Sequence, residues 1–88
     1  MSNNPDFSEL DAFATVARHR SFRKAAAALH ITQPAVTKTV AGLEALLGVK
    51  LFDRDAQGVE PTVHGLSFAP HAMAIFGELR GAAQSLAV

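Results

Sequence analysis

Apolar residues recur at helical spacing through the first part of the chain. Over residues 6–19, Phe7, Leu10, Phe13, Ala14 and Ala17 fall three or four positions apart, the pattern of an amphipathic helix whose phenylalanines are expected in the core. Asp6, Glu9 and Asp11 near its start, and Arg18, His19 and Arg20 near its end, suit the helix dipole. Ser21 is an expected N-cap for a second helix with the buried stripe Phe22, Ala25, Ala26 and Leu29. Alanines at 25–28 favour helix and let a neighbouring helix approach closely. His30 and Ile31 form a turn, with Ile31 expected to plug the core. Thr32 then caps a third helix that buries Val36, Val40, Leu43 and Leu47. Pro34 lies in its first turn, where the missing N–H removes no intrahelical bond, which leaves the Thr32 hydroxyl to use the N–H of Ala35.

Gly48 ends the third helix. Two short apolar-containing segments, Leu-Phe-Asp-Arg-Asp and Val-Glu-Pro-Thr, flank Ala56, Gln57 and Gly58 and predict a hairpin. An isolated hairpin is marginal, so its apolar side chains must pack on the helices, with Phe52 as the anchor. From Thr62 a long helix follows, striped by Leu66, Ala69, Met73, Phe76 and Ala83 and widened by Ala72, Ile75, Leu79 and Leu86. That is more apolar surface than one small core needs, so one side is expected on the first helix and the rest on a partner subunit. Pro70 interrupts the pattern at a cost of about 3 kcal/mol, which predicts a bend or break over residues 66–70. Gly65, Gly77 and Gly81 lower the intrinsic helicity further.

Eighty-eight residues allow one small domain, and a 49% hydrophobic content at this length points to apolar surface used in an interface. The absence of cysteine excludes disulfides and thiolate zinc sites and fits a reducing compartment. No basic segment followed by an apolar run opens the chain, and no apolar run reaches spanning length. A cytoplasmic protein without membrane partners is expected. The formal net charge is zero, yet residues 18–54 carry a net +5 between an acidic start and a final part of net −2. Such a centre can hold a polyanion, although an ordinary solvated surface has the same count.

The exposed start of the third helix carries the candidate chemistry. Glutamine can pair with adenine, proline and alanine can lie against a thymine methyl, and threonine and lysine can reach bases or phosphates. Gln33, Pro34, Ala35, Thr37 and Lys38 are therefore the candidate base-facing residues. Small residues at this tip would let the helix sit deep in a major groove. Candidate backbone contacts are Ser21, Arg23, Lys24, Lys50 and Arg54. A plain solvated face is the alternative for Arg23 and Lys24. Asp53 and Asp55 would point away from DNA or hold Arg54. Spacing alone fits a helix-turn-helix or a generic small helical domain, whose function would be dimerisation or protein interaction without specific DNA binding. Catalysis finds no support, because His19, His30, His64 and His71 are scattered and there is no HExxH, cysteine ligand set or clustered carboxylate pair. No metal or cofactor is expected.

Leu10, Phe13 and Val16, the run SFRKAAAALHITQPAVTKTVAGLEALLGVKLFDR, Gly58-Val59 and residues 62–65 together resemble the amino-terminal domain of LysR-type transcriptional regulators. The resemblance covers nearly the whole chain, and it implies that Thr32, Arg54 and, at the wing tip, Gln57 contact the DNA backbone. It implies a mainly α fold: a winged helix-turn-helix of three helices and a two-stranded wing over residues 1–61, then a linker and dimerisation helix over 62–88. It further implies sequence-specific binding of double-stranded DNA at interrupted, roughly palindromic promoter sites. The protein would bind as a homodimer, commonly a tetramer when intact. Leu66, Ala69, Met73, Phe76, Leu79 and Ala83 would line the pairing face. A small-molecule effector would bind a domain absent from this chain. Two positions depart from the family pattern: Gln57 stands where many relatives have a basic residue, and Pro70 where many have an ordinary helix former.

Overall fold

The computed structural model describes residues 4–55 and 58–86. The order is α1 (Phe7–His19), α2 (Phe22–Leu29), α3 (Gln33–Leu47), β1 (Phe52–Asp55), β2 (Gly58–Pro61) and α4 (Val63–Leu86). The first three helices pack on one another, and the antiparallel hairpin pairs Phe52 with Pro61 and Asp55 with Gly58.

Local chemistry sets the helix boundaries. Asp6 opens α1 with a reciprocal box, its carboxylate accepting from the Glu9 N–H at 2.8 Å while Glu9 accepts from the Asp6 N–H at 3.0 Å. Ser21 and Thr32 cap α2 and α3 by accepting from Lys24 and Ala35 N–H groups at 3.1 and 3.2 Å. The turn between α2 and α3 is a Schellman closure. His30 adopts the left-handed conformation at φ 59°, and the Ile31 N–H returns to the Ala26 carbonyl at 3.1 Å. This turn corrects the expectation for Ile31: its backbone is tied back, and its side chain is 44% exposed beside Leu29 and Thr39 instead of plugging the core.

The core gathers Phe13, Val16, Phe22, Val36, Leu43 and Leu51 from α1, α2, α3 and the segment leading into the wing. Phe52 anchors the wing as expected, its ring 5.3 Å from that of Phe13 and 6.0 Å from that of Phe22. Phe7 departs from expectation. It is 54% exposed and meets the Phe76 ring edge-on at 5.2 Å, so it braces α4 from outside the core.

Three contacts seat α4. The Thr62 hydroxyl donates to the Lys50 carbonyl at 2.6 Å and accepts from the Gly65 N–H at 3.1 Å, while the Thr62 N–H donates to the Leu51 carbonyl at 2.9 Å. Gly65 is buried, and a Cβ there would overlap the Leu51 carbonyl oxygen. Phe68 packs edge-on against Phe13 at 5.2 Å. The helix runs continuously from Val63 to Leu86 through Pro70, so of the bend or break expected over residues 66–70 the break does not occur. Contacts on both sides of the proline, at Phe68 and at Ala72 and Phe76, hold the helix together.

Candidate nucleic-acid interface

The amino-terminal turns of α3 divide cleanly between core and surface. Val36 and Val40 are buried, while Gln33, Pro34 and Lys38 are exposed and Ala35 and Thr37 half-buried. Gln33, Pro34, Thr37 and Lys38 line one shallow groove, so four of the five residues expected to face bases share a surface. Ala35 is turned partly inward, beside the cap that binds its N–H.

A second groove borders the first at Gln33 and is lined by Arg20, Ser21, Arg23, Arg54 and Gly58. It joins the start of α2 to the wing, bringing together cations far apart in sequence. Arg23 and Lys24 are exposed on α2, and Ser21 is half-buried with its hydroxyl oxygen engaged as the α2 cap. Thr32 lies exposed at the opening of α3. Lys50 stands at the foot of the wing, its ammonium 3.8 Å from Glu44. Gln57 lies outside the described residues.

The wing is held by groups whose roles periodicity could not reveal. Glu44, only 12% exposed, accepts from the Leu51 N–H at 2.7 Å and from the Phe52 N–H at 3.4 Å, so it ties the end of α3 to the start of β1. A glutamate inside the otherwise apolar carboxyl half of α3 was the available signal. At the other strand, Glu60 accepts two bonds from Arg20 at 3.0 and 3.1 Å, across 40 positions of sequence. Arg54 places its guanidinium carbon 3.6 Å from the centroid of the Phe22 ring and donates to the Thr37 hydroxyl at 3.4 Å.

The α4 stripe splits in two. Ala69 and Phe76, expected on a pairing face, pack in part against the chain's own core together with Phe68 and Ala72. The first turns of the helix must cover that core, which claims these positions. Leu66, Met73 and Leu79 are exposed at 61%, 46% and 49%, Ile75 at 43%, and Ala83 is also exposed. Among the described residues no helix is long and apolar enough to cross a membrane, and no group of three or more histidine or acidic side chains could hold a metal ion.

A family model described as bacterial regulatory helix-turn-helix protein, lysR family, matches residues 7–66. The chain belongs to the lysR family. Its relatives include the HTH-type transcriptional regulator PcaQ of Agrobacterium fabrum, 44% identical over 80 residues that make up 91% of this chain and 26% of that protein. The chain thus spans about a quarter of the length of such relatives. Among solved structures, the BenM_DBD/catB site 1 DNA complex superposes with a TM-score of 0.87 at 28% identity, covering 92% of this chain and 91% of that one. The CbnR_DBD-DNA complex does so with a TM-score of 0.81 at 38% identity, covering 91% of both. The lysR relatives are named as transcriptional regulators and not as enzymes, and this chain has the winged helix-turn-helix fold of that family.

Proposed function

We propose that this lysR-family chain binds double-stranded DNA sequence-specifically, with the start of α3 in the major groove and the wing and α2 on the flanking backbone. The observation that carries this reading is the continuous surface on which Gln33, Pro34, Thr37 and Lys38 adjoin Arg23 and Arg54. Base-reading groups bordered by cations suit a duplex, because phosphate contacts position the protein and base contacts specify the site. Relatives of 28% and 38% identity solved as DNA complexes support it. A second copy would pair through the exposed part of α4 and place two recognition helices on half-sites of an interrupted palindrome, about one helical turn or a multiple apart. In the intact cytoplasmic regulator, a further domain would bind a small-molecule effector and two dimers would form a tetramer.

Gel-shift titration against duplexes selected from a randomised pool tests the reading. Gln33→Ala should cost about 1–3 kcal/mol of discrimination at particular base pairs, and Arg54→Ala should weaken all duplexes and reduce the salt slope by about one. Equal, salt-insensitive binding of random duplexes by all three proteins would overturn it.

A further inference from the structure

We infer that Phe22 and Thr37 are positioning residues that set Arg54 in place before DNA arrives, so that wing and recognition helix engage the duplex as one unit. This rests on the DNA-binding reading above. Arg54 is exposed on β1, where a long side chain ordinarily keeps much of its rotamer freedom. Its guanidinium instead lies on the Phe22 ring at 3.6 Å, well inside the range of cation–π attraction, which is about 6 Å. The ring is itself immobilised. Phe22 is 4% exposed and meets Phe52 edge-on at 80°, and Phe52 in turn packs on Phe13 of α1. A rigid path therefore runs from the core to the guanidinium.

Thr37 provides the second constraint. Its hydroxyl accepts from Arg54 Nη2 at 3.4 Å, a long bond that fixes direction more than it adds strength. Phe22, Thr37 and Arg54 belong to α2, α3 and β1, so their meeting registers all three elements that line the candidate interface. Only a planar guanidinium can lie on a ring and point an edge N–H at a hydroxyl in this way. Because the side chain is ordered when the protein folds, its ordering no longer opposes binding. Thr37 then serves the duplex through the arginine, in addition to any base it touches itself.

The test uses the 88-residue chain and a duplex selected from a randomised pool by the wild type, with Phe22→Leu, Thr37→Val and Thr37→Ser made alone and combined with Arg54→Ala. Phe22→Leu and Thr37→Val should each weaken binding roughly three- to tenfold. Thr37→Ser should restore it, and with Arg54→Ala present the Phe22→Leu loss should vanish and the Thr37→Val loss should shrink to the part owed to any base Thr37 touches itself. In the free protein, the Arg54 side-chain protons should show upfield ring-current shifts in NMR spectra that vanish in Phe22→Leu. Losses that multiply fully with that of Arg54→Ala, or unshifted Arg54 protons in the wild type, would overturn the inference. If Phe22→Leu does not fold, the Thr37→Val and Arg54→Ala pair decides alone. A wild-type chain that binds no selected duplex would instead remove the DNA-binding reading, an outcome that misplaced positioning residues could not produce by themselves.

Discussion

Gly65 shows how one position can govern where an element sits. Its lack of a Cβ lets the first turn of α4 rest against the Leu51 carbonyl, and that carbonyl also accepts the Thr62 N–H. The sequence suggests only that a glycine here weakens a helix, which is true of its propensity and misses its packing. Gly65→Ala should improve intrinsic helicity yet destabilise the fold by roughly 1–3 kcal/mol, because a backbone atom, not a flexible side chain, stands in the way. Urea denaturation checks this, and a midpoint at or above the wild-type value would contradict the close approach. Glu44 is the polar counterpart. Charge-assisted bonds to the N–H groups of Leu51 and Phe52 explain why a carboxylate is tolerated in a nearly buried place.

At the level of elements, the wing is fixed from three sides: Phe52 in the core, Glu44 at its foot and Glu60 on Arg20. The Arg20–Glu60 pair is exposed on both partners, so its contribution to stability is small, within about 1 kcal/mol. Its effect on the interface is larger, since Glu60 occupies a cation that adjoins Arg23 and Arg54. Glu60→Gln should leave the thermal midpoint nearly unchanged and raise duplex affinity severalfold at low ionic strength. The gain should fade in titrations at higher salt as screening shortens the range of the freed charge. Helix α4 shows the opposite balance, where tertiary contacts at Phe68, Ala72 and Phe76 carry a continuous helix across Pro70 against its local preference.

For the whole molecule, the split of the α4 stripe sets the expected assembly. The inner positions complete the monomer's core, and exposed apolar side chains remain on both flanks of α4, Leu66 and Met73 on one and Ile75 and Leu79 on the other, on a chain 48 Å in its longest dimension. Leu79→Glu should shift the chain toward monomer in sedimentation velocity and remove any concentration dependence of the thermal midpoint, with helicity by circular dichroism retained. It should also reduce affinity for a two-half-site duplex more than for a single half-site, because linked sites lose the advantage of simultaneous engagement. The neutral formal charge hides an uneven distribution, since residues 18–54 carry a net +5 that Asp6, Glu9 and Asp11 at the start of α1 and a net −2 over residues 55–88 balance.

Features that depend on neighbours three or four positions away can be read from the order of residues alone. The caps Ser21 and Thr32, the glycine stop at Gly48 and the buried stripes of α2 and α3 were legible for that reason, and so was the exposed polar start of α3, whereas Asp6 was legible as an acid suited to the dipole and not as the cap it forms. The tertiary structure alone decided the contacts between distant positions: Phe7 on Phe76, Gly65 on Leu51, Arg20 on Glu60, and Arg54 between Phe22 and Thr37. Periodicity tells which face of an element is apolar, but not which atoms of another element it meets. Those depend on the angles and separations at which helices and hairpin pack, and these follow from the shapes of all the core side chains together.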